Sequence, residues 1–327
     1  MRVISPMATG NGAYIVHKML EGQLTNYSVA PYNPYWTLMP IALPFLFRGT
    51  SDIIHTTPDY ACFFSRKNTP LVLTLHNYVL DRFMHSYSST LQNIHYKTDL
   101  KWFIERSLKQ ANIVTSVSKF TSQLLREQLR FDKDIDVIPN GVDTLFFHPF
   151  HKNKCSKKIT VLFSGNLTRR KGAQWLPDIA KKFKNNIELI CTGGLNKTKL
   201  MIRKDNVKCI GAIPYNEMPA IYNSVDLLLM PTVREGMSLA ILEAMACGIP
   251  VVATDCSSNP ELIDNDKGGY LCPLGDTAKF AEKINNLAEN PILVKQMGDY
   301  NRAKVEKQFT LKKMLGRYER VFEKAMA

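Results

Sequence analysis

Short apolar, β-branched runs alternate with longer helix-patterned stretches along this chain, and the alternation starts afresh beyond its midpoint. In the first half, residues 2–5, 52–55, 71–75, 113–116 and 135–138 have the composition of buried strands. Helical spacing lies between them, clearest over 100–110 and 119–129. Ser118 is placed to cap the second of these helices, because a Ser hydroxyl satisfies a free N–H of the first turn. In the second half, strands are predicted at 160–164, 187–192, 227–230 and 250–253, and helices at 173–183, 238–247 and 277–287. Gly248 and Pro250 supply a stop after residue 247. Strands alternating with helices fold as βαβ units, since a parallel neighbour needs a crossover connection. The polar, basic run 148–154 has no apolar period and reads as a linker. Two doubly wound α/β domains follow, and open sheets of this kind bind ligands beyond the carboxyl ends of their strands.

The 327 residues suit two domains, at about 150 residues each. The longest apolar stretch, 36–47, contains Pro40 and Pro44 and has 12 residues, where a membrane-spanning helix needs roughly 20. It reads as a buried or partly buried helix, with a membrane-interface contact as the alternative. Met1 to Pro6 lacks the longer apolar run of a signal peptide. The seven cysteines are scattered without a C-x-x-C pair, which fits reduced, mostly buried thiols and a cytoplasmic setting. Of the net charge of +13, residues 1–150 carry +3 (14 Lys/Arg against 11 Asp/Glu) and residues 151–327 carry +10 (28 against 18). Residues 152–208 hold 15 basic and three acidic side chains. Such a run can meet nucleotide phosphates, an anionic membrane surface or nucleic acid, or it can be a solvated face. No RNA- or DNA-binding motif accompanies it, so no nucleic acid is expected.

The segment from Arg234 to Val252 is the most informative. A strand ends near Met230, a loop carries Glu235 and Gly236, and a helix opens near Ser238. Gly236 lets the backbone approach a ligand, and the free N–H groups of the first helical turn form an anion site. Glu243 stands eight residues beyond Glu235, about two turns into the helix. The two carboxylates can therefore reach different parts of one extended ligand, although a capping Glu and a surface Glu explain the spacing equally well.

Four ordered stretches lift that ambiguity. Residues 234–252 resemble the donor-site loop and helix of glycosyltransferase family 4, retaining enzymes of GT-B fold. Val137-Ile138-Pro139-Asn140-Gly141-Val142-Asp143 resembles the segment that closes the family's N-terminal domain, and residues 162–172 its first C-terminal strand and phosphate turn. Thr74-Leu75-His76-Asn77 resembles a strand end bearing an active-site histidine. The resemblance implies two facing Rossmann-like domains with a cleft between them. Residues 1–150 would lie on the acceptor side and 151–309 would bind the donor, with a helix over about 310–327 able to pack back on the first. It further implies that Lys171 holds the donor diphosphate, that Glu235 binds hydroxyls of the donor sugar, and that Glu243 binds the ribose. Backbone amides of Gly236, Met237, Ser238 and Leu239 would hold phosphate or sugar, with Gly165 in the phosphate turn. His76 would lie over the sugar, and Gly10-Asn11-Gly12 corresponds to a Gly-rich loop, so Gly12 joins the donor site. The catalytic set implied is His76, Lys171 and Glu235.

Two departures stand out. Asn166 occupies the position after the turn glycine where the family carries Arg, which leaves Arg169 or Arg170 to reach the phosphates. Residues 255–261 lack the family's glycines. The remaining histidines, at 17, 55, 85, 95, 148 and 151, show no ligand spacing, and nothing argues for a metal or another cofactor. The expected activity is retaining transfer from a UDP- or GDP-linked sugar to a glycan or lipid-linked acceptor, as in polysaccharide or glycolipid assembly. The expected site of action is the cytoplasm, at or near the inner membrane surface. Rival readings are a phosphorylase or epimerase on the same architecture, and a non-catalytic nucleotide-sugar or nucleic-acid binder.

Overall fold

The computed structural model describes residues 1–46, 50–78, 80–87, 95–150, 158–193 and 206–327. The chain divides into two compact units, 1–140 with 312–327 and 141–311. Each is built on a six-stranded, all-parallel sheet.

The first sheet runs β2 (Tyr27–Tyr32), β1 (Val3–Ala8), β3 (Ile53–Thr56), β4 (Leu71–Leu75), β5 (Ile113–Ser116), β6 (Ile135–Val137). The strand order reverses between β1 and β3. Side chains alternate across the pleat, so Ile54, Leu71, Leu73, Leu75 and Val114 enter one apolar cluster with the helix Lys101–Gln110. His55, Thr74 and Thr115 are polar yet fully buried, and they interact with one another and with Tyr318 of the C-terminal helix Leu311–Met326. The helix Lys119–Leu129 forms with the bounds its periodicity predicts, capped by Ser118 Oγ, which accepts from Thr121 N at 3.1 Å.

The second sheet runs β9 (Val207–Gly211), β8 (Ile187–Thr192), β7 (Ile159–Phe163), β10 (Leu227–Met230), β11 (Val251–Thr254), β12 (Gly269–Cys272). This is the dinucleotide-fold order, with its reversal between β7 and β10. Val161, Phe163, Leu189, Leu227 and Leu229 pack against Leu176 and Ile179 and against the helix Thr277–Glu289.

Two predicted helices take other forms. Over 173–183 a 3₁₀ turn, Ala173–Trp175, precedes a short α-helix, Leu176–Ala180. Gly172 in the left-handed region and Pro177 in the first turn set the helix start late. The stretch 36–47 is not a buried helix: it lies within two 3₁₀ segments, Pro34–Leu38 and Pro40–Leu46, with Leu43 the one buried residue of those segments. Prolines lack the N–H that an α-ladder needs. Phe47 lies outside the described residues, as do 151–154 of the linker and 152–157 and 194–205 of the basic run. No helix among the described residues is long and apolar enough to cross a membrane.

Candidate active site

The carboxyl ends of β7 and β10, where the second sheet's order reverses, bring the sequence-predicted groups of this unit together. Beyond β7 the chain turns through Ser164 and Gly165, whose φ of 142° favours glycine. Thr168 then caps a 3₁₀ turn, Arg169–Lys171, by accepting from Lys171 N. At Gly172 (φ 79°) a Cβ would come within 1.9 Å of the Pro231 carbonyl oxygen. This glycine therefore lets the phosphate turn close onto the end of β10. The closure is sealed by Val233 N donating to Arg170 O at 2.9 Å.

The result is a buried ion pair. Lys171 Nζ lies 2.6 Å from Glu235 Oε1, with side-chain exposures of 18% and 9%. Thr232 Oγ1 donates to the same carboxylate oxygen at 2.9 Å. Burial pushes the Glu235 carboxyl up, but the charges of Lys171 and Arg170, with hydrogen bonds from Lys171 and Thr232, outweigh it and hold the group below the ordinary carboxylate range. Ser257 and Ser258, within the divergent 255–261 segment, clamp the Glu235 backbone at its N–H and carbonyl. The sequence marked the segment only by its missing glycines, and the clamp itself spans more than twenty residues.

Ser238 caps the helix Leu239–Ala246, its Oγ accepting from Ile241 N. Gly236, Met237, Ser238 and Leu239 thus form the loop and first turn of an amide-bearing helix start. Glu243 is buried, and its Oε2 accepts from the Tyr222 hydroxyl at 2.8 Å. Tyr222 also meets Ser164 Oγ at 3.3 Å, which ties Glu243 to the phosphate turn. Burial pushes the Glu243 carboxyl up to about 7. Arg170 is half-buried, with Nη1 donating to Arg234 O at 3.3 Å, whereas Arg169 is exposed. Asn166 is half-buried, and its backbone carbonyl accepts from Thr168 N.

In the first unit, Asn11 caps the helix Gly12–Glu21, its side chain accepting from Tyr14 N. Gly10 needs its glycine (φ 82°), while a Cβ on Gly12 would meet open space. His76 follows β4 directly, partly buried, with its Nε2 at 3.1 Å from His17 Nε2. Burial lowers its basicity to about 3, so the ring is neutral. His17 and His55, which show no ligand spacing in sequence, are brought beside it by the sheet, with the His17 and His55 rings stacked at 4.5 Å.

Two family profiles match the chain, one described as Glycosyltransferase Family 4 over residues 2–145 and one as Glycosyl transferases group 1 over 158–290. The chain belongs to glycosyltransferase family 4. This family-4 chain is 24% identical over 327 residues to the N-acetyl-alpha-D-glucosaminyl L-malate synthase of Bacillus anthracis, covering 92% of this chain and 82% of that one. Its fold is similar to sucrose-phosphate synthase from Thermosynechococcus elongatus, with a TM-score of 0.84 at 18% identity and 99% coverage of both chains. It is also similar to Anabaena Alr3699/HepE in complex with UDP and glucose, with a TM-score of 0.79 at 17% identity and 99% of both chains covered. The chain is accordingly a glycosyltransferase of the GT-B type, a class that uses nucleotide sugars.

Proposed function

We propose that the chain transfers a hexose, with retention at the anomeric carbon, from a UDP- or GDP-linked donor to a glycan or lipid-linked acceptor. The observation that carries this reading is the Lys171–Glu235 pair at the carboxyl ends of β7 and β10, beside the helix start at Ser238. A diphosphate entering there meets the Lys171 ammonium and the helix amides, both preorganised for the charge that develops as the glycosidic bond breaks. Lys171 then exchanges part of its contact with Glu235 for phosphate, which frees that carboxylate to accept from sugar hydroxyls. Arg170 supplies the second positive charge in place of the family Arg replaced by Asn166. The acceptor hydroxyl attacks the anomeric carbon from the face that the leaving diphosphate vacates. Its proton passes to a diphosphate oxygen, and no protein nucleophile is needed. His76 contributes a neutral polar contact to the sugar, and Glu243 receives the ribose. The UDP and glucose bound in the Anabaena structure favour a uridine donor.

A lipid-linked acceptor is supported by the surface of the first unit. Tyr35, Leu38, Met39, Ile41 and Phe45 are each at least two-thirds exposed, beyond the scattered apolar residues that ordinary surfaces carry. On the helix Lys101–Gln110, Trp102 is half exposed with Arg106 stacked over it at 5.2 Å. Apolar and basic groups together suit an anionic membrane face.

The test is thermal stability against UDP-, GDP- and ADP-sugars, followed by turnover of the stabilising donor. Saturation at a hundred times the dissociation constant adds about 2.7 kcal/mol. Glu235→Gln, which keeps the shape, is expected to cut transfer at least about tenfold while the protein stays folded. Wild-type turnover in Glu235→Gln, or no stabilisation by any donor, overturns the reading. The second outcome favours a non-catalytic binder, for which Asn166 is the supporting observation.

A further inference from the structure

The first unit buries a row of polar groups that the proposed chemistry does not by itself require. Ser5, His17, Tyr27, His55, Thr74 and Thr115 come from six structural elements and are all inaccessible or nearly so. A sheet face of this kind is ordinarily apolar, because each buried polar group must find a partner or cost free energy. Here every imidazole nitrogen of His17, His55 and His76 has a described partner except His76 Nδ1.

We assign the direction of the hydrogen bonds from the end that cannot reverse. The Leu73 carbonyl can only accept, and Thr115 Oγ1 donates to it at 3.3 Å. With that proton committed, Thr115 Oγ1 accepts from the Thr74 hydroxyl at 2.7 Å. Thr74 Oγ1 then accepts from His55 Nε2–H, also at 2.7 Å. A neutral imidazole carries one N–H, so His55 Nδ1 is bare and accepts from the Tyr27 hydroxyl at 2.7 Å. The Tyr27 oxygen, having given its only proton, accepts from His17 Nδ1–H at 2.7 Å; Ser5 Oγ lies at the same distance from that nitrogen and also hydrogen-bonds Tyr27. His17 Nε2 is therefore bare, and His76 donates Nε2–H to it at 3.1 Å. The Tyr318 hydroxyl lies 3.5 Å from Thr74 Oγ1, longer than any bond assigned to the chain. Burial keeps His17 and His55 neutral, as the one-proton accounting requires.

We infer that the Thr115–Thr74–His55–Tyr27–His17 chain is a positioning device that holds His76 in one tautomer, Nε2–H, and leaves Nδ1 as a proton-free acceptor for a substrate hydroxyl. The inference deepens the proposed role of His76 and rests on it. An imidazole that could flip or exchange tautomers would present a donor half the time, and a donor cannot receive the hydroxyl proton of a sugar. His17 and Tyr27 act through His76, with no contact to substrate required of either.

The decisive readout is spectroscopic and needs no substrate. Long-range ¹H–¹⁵N correlation on the full-length protein, with ring signals assigned through His17→Phe, His55→Phe and His76→Ala, reports which nitrogen carries each proton. The expected result is a single Nε2–H tautomer at His76 that becomes a mixture in Tyr27→Phe. The same variant, assayed with the donor that stabilises the protein, is expected to lose about tenfold in kcat with donor KM within about twofold. A merely structural hydroxyl would change stability and leave the His76 tautomer alone. Nδ1–H at His76 in the wild type, or an unchanged tautomer in Tyr27→Phe, overturns the inference. Undiminished turnover in His76→Ala with the tautomer as expected overturns the proposed role of His76 instead, so the two failures are told apart.

Discussion

The three neutral histidines set how this protein responds to acid. In the unfolded chain each takes up a proton near pH 6.5. In the fold, burial holds His17 and His55 well below that value and His76 at about 3. Below pH 6.5 the unfolded state therefore binds protons that the folded state refuses, and stability falls as pH drops from 6.5 toward the folded values. Glu243 and Asp59 oppose this: their carboxyls, raised by burial to about 7 and about 6 in the fold, contribute stability below their unfolded values that is lost as pH rises through the folded ones. Three imidazoles outweigh two carboxyls, so unfolding free energy is expected to fall by roughly 1 kcal/mol per pH unit between 6.5 and 5.5. Urea midpoints measured at pH 7 and 5.5 check this, and equal midpoints would show that the cluster is not neutral. His76 was legible in the sequence as a strand-end residue, whereas His17 and His55 were not. Their partnership spans 38 residues and two crossovers, and no local spacing encodes it.

At the scale of elements, the phosphate turn depends on a single missing Cβ. Gly172 sits at φ 79°, with its missing Cβ position 1.9 Å from the Pro231 carbonyl oxygen. Gly172→Ala combines left-handed strain of about 1–3 kcal/mol with a backbone clash, so it is expected to lower the melting temperature and abolish donor stabilisation together. Loss of neither would show that the turn can open without cost. The 3₁₀ pair Pro34–Leu38 and Pro40–Leu46 makes the opposite case, since of its apolar side chains Leu43 alone enters the core. Leu38→Glu with Ile41→Glu is expected to leave the melting temperature within about a degree, because surface changes stay within about 0.5 kcal/mol. The same pair is expected to reduce sedimentation with anionic liposomes at physiological salt. Unchanged sedimentation would remove the support for a membrane-bound acceptor. The strands β4, β5, β8 and β10 stand where the apolar, β-branched runs predicted them, because parallel strands are rich in Val, Ile and Leu. Strand β2 carries Pro31 and polar residues and lies at the sheet edge, where proline is tolerated and the sequence signal is weakest.

At the scale of the whole chain, the first unit is completed only by residues from the far end. From Lys312 onward the chain belongs with residues 1–140. Tyr318 and Phe322 pack there on the rings of His55 and Tyr27. Phe322→Ala is expected to cost about 3–5 kcal/mol, read in urea unfolding of the intact protein, and to perturb the His55 ring signals more than 250 residues away in sequence. A cost below about 1 kcal/mol would mean that the terminal helix is an accessory. The sequence by itself determined the class of fold, since short buried strands alternating with helices have one economical solution. It also carried the Lys171, Glu235 and Glu243 motif, whose residues lie close along the chain or at the ends of predictable strands. Only the tertiary structure decided what surrounds those residues: Ser257 and Ser258 on the Glu235 backbone, Tyr222 on Glu243, and the polar chain behind His76. Each of these joins side chains from separate elements, and such contacts are set by sheet order and packing, which local periodicity does not encode.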